Sequence, residues 1–142
     1  MTFKKLIPNL MVEDVAQSVA FYRDLLGFDF IMAMRDEQPV EEIPAATDKP
    51  LDWAMLQRDQ VAMMFQQRNS LVDELPALAG CAIGASLTIY IELEGVAGLY
   101  ESLQGRADII KPLQTTFYGM REFYLRDCNG YILALAERAV TE

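Results

Sequence analysis

Two stretches of the chain, Val12-Glu13-Asp14-Val15-Ala16 and Leu93-Glu94-Gly95-Val96-Ala97, lie 81 residues apart and read alike. Each follows an apolar, strand-like run and opens a helix-like one, so the chain repeats itself. After Asp14, apolar side chains recur at Val15, Val19, Tyr22 and Leu26, the spacing of one helical face. Asp14 is placed to cap that helix, Gln17 stands three residues on to complete a capping box, and Gly27 suits a left-handed stop. The second copy runs Val96, Leu99, Tyr100 and Leu103 and ends at Gly105.

Short strands are predicted after each helix. In the first half they fall at 29–34, 51–57 and 61–67, with Arg58-Asp59-Gln60 as a tight connection. In the second they fall at 107–110, 120–126 and 131–137, with Asp127-Cys128-Asn129-Gly130 as the turn between the last two. The predicted class is α+β: two tandem βαβββ modules, residues 1–67 and 86–142, folded into one domain. A linker over 68–85 holds a short helix started by Ser70. Between Arg35 and Pro50, Asp36, Glu37, Glu41, Glu42 and Asp48 alternate with Pro39, Pro44 and Pro50, which reads either as a solvated acidic loop or as a lid over a ligand.

The strand over 86–93 alternates strictly. Leu87, Ile89, Ile91 and Leu93 make an apolar face for packing on helices, and Ser86, Thr88, Tyr90 and Glu92 make the other. At the same offset, Leu6, Leu10 and Val12 are expected to point inward, with Ile7, Asn9 and Met11 opposite. A sheet face carrying Asn9, Met11, Tyr90 and Glu92, and from a later strand Met63 and Phe65, reads as a cleft wall, apolar with a few polar groups. The other reading is a face that packs on a second sheet or a second subunit.

Composition excludes several functions. The 142 residues hold 12 Lys+Arg against 21 Asp+Glu, a formal charge of −9, which disfavours nucleic acid and anionic membranes. There is no histidine, so histidine-based triads and His-rich zinc sites cannot be built. Cys81 and Cys128 are far apart and form no CxxC, which reads as two half-buried thiols in a reducing cytoplasm. No run of 18 apolar residues occurs, and Pro8 interrupts the start before a signal-peptide core could form, so a soluble, cytoplasmic protein is expected.

The repeated strand-helix-three-strand unit resembles the glyoxalase / bleomycin-resistance / extradiol-dioxygenase (vicinal oxygen chelate) superfamily. The resemblance rests on Val12-Glu13-Asp14-Val15 with Phe21-Tyr22-Arg23-Asp24-Leu25-Leu26-Gly27-Phe28, on Tyr118-Gly119-Met120-Arg121-Glu122-Phe123, and on Asp127-Cys128-Asn129-Gly130-Tyr131. It implies a curved mixed sheet around a cleft. In metal-using members of that superfamily, His or Gln and Glu ligands come from the first and last strands of each module. The matching positions here are Ile7, Met63, Thr88 and Ala134, none of which binds a divalent metal that way. The resemblance is nearest the bleomycin-resistance branch. It implies a metal-independent small-molecule-binding protein with no cofactor, a homodimer whose ligand is cationic or amphipathic.

The expected cleft residues are Asn9, Met11, Trp53, Met63, Phe65, Thr88, Tyr90, Glu92, Tyr118 and Arg121. Glu92 reads as a contact for a ligand cation or as a partner for Arg121. Trp53 reads as a stacking surface or as core, and Tyr118 as a stacking surface beside the cleft. Eight methionines, among them Met11, Met32, Met34, Met55, Met63 and Met64 in predicted strands, suit an irregular apolar pocket or an ordinary core. Arg121 and Glu122 are adjacent on one strand and face opposite ways, so structural ion pairs with other partners are expected for both. The alternative function is an enzyme of the same superfamily that has lost or replaced its metal, with Glu92 or Glu122 and Tyr90, Tyr118 or Tyr124 as its acid and base.

Overall fold

Asp14 opens the first helix as its spacing predicts. In the computed structural model, which describes residues 1–42 and 49–140, helix α1 spans Val15–Leu26 and the Asp14 side chain accepts from the Gln17 N–H at 3.1 Å. Gly27 ends α1 at φ 69°, a conformation that costs glycine nothing. The Leu26 carbonyl, left over at the helix end, accepts from the Arg58 guanidinium at 2.6 Å. Replacing Arg58 by alanine is therefore expected to cost about 1 kcal/mol of stability, with partial recovery in Arg58→Lys, measured by denaturant unfolding.

The chain divides into two units, Met1–Cys81 and Ala82–Glu142. The first contains β1 (Asn9–Val12), α1, β2 (Asp29–Arg35), β3 (Gln38–Val40), β4 (Trp53–Arg58), β5 (Val61–Gln67) and α2 (Arg68–Glu74), then a single 3₁₀ turn over Pro76–Leu78. Its sheet has the order β1-β5-β4-β2-β3, with β1 parallel to β5 and the other pairs antiparallel. The second contains β6 (Thr88–Glu92), α3 (Val96–Leu103), β7 (Asp108–Thr115), β8 (Met120–Arg126) and β9 (Ile132–Arg138), in the order β6-β9-β8-β7 with β6 parallel to β9. The class is α+β with two mixed sheets.

Five details differ from the sequence reading. Strand β3 lies inside the stretch read as an acidic loop; Asp36 and Glu37, at φ 51° and 63°, make its hairpin turn, and Pro39 is tolerated because β3 is a sheet edge. Pro44 and Asp48 of that stretch lie outside the described residues. Strand β7, also an edge, runs on through Pro112 to Thr115 with two register irregularities, well past the predicted end at 110. Helix α2 starts at Arg68 rather than Ser70, because the Gln67 side chain accepts from the Asn69 N–H at 2.7 Å and caps it. Leu6 is 88% exposed instead of pointing inward, since the ladder begins only at Asn9, after Pro8. Cys81 and Cys128, expected to be half-buried, are both exposed.

Each unit buries one sheet face under its long helix. Below α1, Tyr22 meets Phe65 at a centroid distance of 4.9 Å and Phe28 at 5.7 Å, among buried Leu10, Val12, Ala54 and Leu56. Each such large side chain contributes about 1.5–3 kcal/mol by leaving water. In the second unit α3 packs on β8 and β9, with Tyr100 5.1 Å from Phe123 and with Val96 and Leu103 fully buried. Gly95 stands where the first copy has Asp14 and offers no side-chain cap. Glu137 of β9 supplies it instead, accepting from the Gly95 and Val96 N–H groups at 3.0 and 3.2 Å. Those two bonds, helped by the nearby Arg121 charge, hold Glu137 below the usual carboxylate range. Among the described residues, no helix is long and apolar enough to cross a membrane.

Candidate functional site

On the face of the second sheet turned away from α3, three tyrosines converge on one carboxylate. Pairing of β8 with β9 puts Glu122 opposite Ala136 and Tyr124 opposite Ala134, and pairing of β9 with β6 puts Tyr90 opposite Ala134 from the other side. The alanines leave room for the Tyr90 ring to lean across β9. Its hydroxyl donates to Glu122 Oε2 at 2.9 Å, two strands away. Tyr124 donates to Oε1 at 3.4 Å from the same strand. Tyr118 donates to Oε1 in a very short bond, from a turn closed by the Gly119 N–H on the Thr116 carbonyl at 3.2 Å.

The carboxylate is hidden while its partners are not. Glu122 is 1% exposed, but Tyr90 and Tyr118 are 50% and 51% exposed. Burial, the hydrogen bond to Glu122 and its charge push the Tyr90 hydroxyl up to about 12. The bond to Glu122 raises Tyr118 most, followed by burial, and Tyr124 is raised by burial and then by the Glu122 charge. All three therefore remain protonated donors across the physiological range. Lys111 lies 5.5 Å over the Tyr124 ring from edge strand β7. Phe117, fully exposed, stands edge-on to Tyr118 at 5.0 Å.

Of the predicted cleft residues, Tyr90 and Tyr118 join this cluster, and Thr88 and Glu92 are exposed on the same face of β6. Arg121 lies on the opposite face with Phe123, in register with Glu137. Glu122, expected in an ion pair, accepts from three neutral hydroxyls instead. Sequence reading otherwise placed it among the acid-base alternatives and not among the cleft residues; the tyrosines at 90, 118 and 124 were the available signal.

In the first unit Asn9 and Met11 sit on the face away from α1, and their β5 neighbours in register are Met64 and Gln66. Met63 and Phe65 do not share that face: they are 1% and 0% exposed in the core beneath α1. The phase of β5 is shifted by one residue from the expectation, which moves every side chain to the other face. Trp53, half-buried, is in register with Gln66. Gln66 accepts from Asn9 Nδ2 at 2.9 Å and donates to Ser70 Oγ and Glu74 Oε2, both at 3.0 Å, so its burial is fully compensated. The same unit has a cavity of about 870 Å³ whose lining includes Glu13, Asp36, Glu37, Asp52, Asp73 and Glu74. Lys49, the one basic residue described in that lining, is paired with Asp36 at 2.5 Å.

Known proteins agree with this architecture. Residues 5–40 match the family model of the bleomycin resistance protein-like N-terminal domain. A glyoxalase/bleomycin resistance protein/dioxygenase from Nocardioides superposes with a TM-score of 0.69 at 18% identity, over 100% of this chain and 88% of that one. The chain has the glyoxalase/bleomycin-resistance fold. Within that fold it is also similar to TioX from Micromonospora sp. ML1, with a TM-score of 0.71 at 18% identity over 96% and 99% of the two chains. The bleomycin-binding protein of bleomycin-producing Streptomyces verticillus, solved in complex with copper(II)-bleomycin, gives 0.59 at 19% identity over 99% of each chain. No curated protein matches the chain.

The metal used by some glyoxalase/bleomycin-resistance relatives does not fit these residues. At the corresponding positions Met63 faces the core, Ala134 carries no donor atom, Ile7 is aliphatic and Thr88 offers a single hydroxyl. Among the described residues no group of three or more His, Cys, Asp or Glu side chains is arranged to hold a metal ion.

Proposed function

We propose that this chain is a metal-independent small-molecule-binding protein that sequesters a cationic or amphipathic ligand, as bleomycin-resistance proteins do. The observation that carries the reading is Glu122, a buried carboxylate that accepts from the half-exposed Tyr90 and Tyr118. Aromatic surface with one fixed charge beneath it is a common way to hold an organic cation. The likeness to a protein solved with copper(II)-bleomycin supports a small-molecule ligand for this fold. A formal charge of −9 favours encounter with cations. The reading carries a homodimer and a cytoplasmic location as further expectations.

Calorimetric titration of metal-stripped protein with a metal-free bleomycin-class glycopeptide tests it. A saturable heat with Kd near 1 μM, about −8 kcal/mol, is expected. Binding that appears only after a divalent metal is added removes the metal-independent reading. Silence up to hundreds of micromolar, with the protein folded, removes the glycopeptide as ligand.

A further inference from the structure

The hydrogen-bond directions around Glu122 say more about the ligand than its charge does. Tyr90, Tyr118 and Tyr124 each own one hydroxyl proton, and all three protons point at the Glu122 carboxylate. What the half-exposed Tyr90 presents outward is therefore oxygen lone pairs, and Tyr118 presents the lone pair that its bond from the Thr116 side chain leaves over. Glu92, exposed on the same face of β6, adds another acceptor. Among the described residues, no lysine or arginine forms an ion pair with Glu122, and Lys111 on the far edge strand meets the Tyr124 ring rather than the carboxylate. Hydrogen bonds in series polarise one another, so the Glu122 charge makes the tyrosine oxygens better acceptors.

We infer that this face reads N–H donors, and that it prefers a planar donor cation, an amidinium or guanidinium, over a quaternary ammonium of similar size. The inference rests on the ligand-binding reading of the same face and narrows it. An amidinium lays its flat face on a tyrosine ring and gives its N–H groups to the hydroxyl oxygens of Tyr90 and Tyr118. A quaternary ammonium has the charge but nothing to donate. At Tyr90, Tyr118 and Glu92 a carboxylate ligand meets lone pairs and negative charge, and is disfavoured.

The test uses the full chain and three aryl probes: benzamidinium, phenyltrimethylammonium and benzoate, followed by NMR of ring-labelled tyrosine. Benzamidinium is expected to shift the Tyr90 and Tyr118 signals saturably, about tenfold more tightly than phenyltrimethylammonium, with no response to benzoate. Tyr90→Phe and Tyr118→Phe keep the rings and remove the acceptor oxygens, so each is expected to cost benzamidinium several-fold while leaving phenyltrimethylammonium unchanged. Equal binding of the two cations, silence of benzamidinium to tens of millimolar, or indifference to both phenylalanine variants overturns the inference. A glycopeptide that binds with no sensitivity to Tyr90→Phe or Tyr118→Phe overturns the inference and leaves the sequestering function standing. Benzamidinium binding as expected, with no glycopeptide heat, does the reverse.

Discussion

Phe65→Ala is expected to destabilise the first unit by about 3–5 kcal/mol and to leave recognition at the Glu122 face untouched. Phe65 is fully buried, in register with Leu10 on β1 and Ala54 on β4, and its ring lies 4.9 Å from that of Tyr22 on α1. Alanine would leave a ring-sized void that two strands and a helix cannot all close upon, so the transfer loss and the cavity term add. Trp53, the only tryptophan, is in register with Gln66 next to Phe65 and reports unfolding of this unit by fluorescence. Phe65→Leu, with a smaller void, is expected to fold and to lose about 1–2 kcal/mol, which keeps the comparison possible if the alanine variant does not fold. Were Phe65 instead part of a cleft wall with Asn9, Met11 and Met63, as expected from the sequence, the alanine variant would lose ligand and keep its stability.

That contrast locates what is legible in the sequence. Strict alternation over 86–93 fixes the phase of β6, and Tyr90 and Glu92 face where alternation puts them. Caps were legible too, because an aspartate before an apolar helix face and a glycine after it each have one physical use. Strand β5 has no such alternation. Val61-Ala62-Met63-Met64-Phe65-Gln66 is apolar on both phases until Gln66, and Gln66 is itself buried behind Asn9, Ser70 and Glu74. Its phase is decided by pairing with β1 and β4, which sequence spacing does not carry. Strands β3 and β7 were hidden or shortened for one reason: proline marks a strand's end in sequence, while in a sheet an edge tolerates it. The Glu122 cluster draws its tyrosines from β6, a turn and β8, 32 residues apart at the widest hydrogen bond, and only the folded register assembles them.

Glu122→Gln is expected to lower the Tyr118 titration midpoint toward that of an ordinary tyrosine, and to lower Tyr90 by a smaller part of its rise. The ordering follows from causes: the Glu122 bond dominates the rise in Tyr118, whereas burial leads for Tyr90 and survives the substitution. Tyrosinate absorbance against pH reads both. A second consequence lies in stability. Tyrosines whose folded pKa exceeds the unfolded value of 10.0 lend stability that is complete below pH 10 and is lost as pH rises toward about 12, because in that window the unfolded chain has already released the protons. Denaturant melts of the wild type are expected to weaken between pH 10 and 12, and Glu122→Gln to flatten that slope by lowering the stability below pH 10, so that the two chains differ most at pH 8 and converge toward pH 12. A wild-type chain whose three tyrosines titrate together near 10 would mean that their hydroxyls are not committed to Glu122, and the acceptor face built on that commitment would go with them.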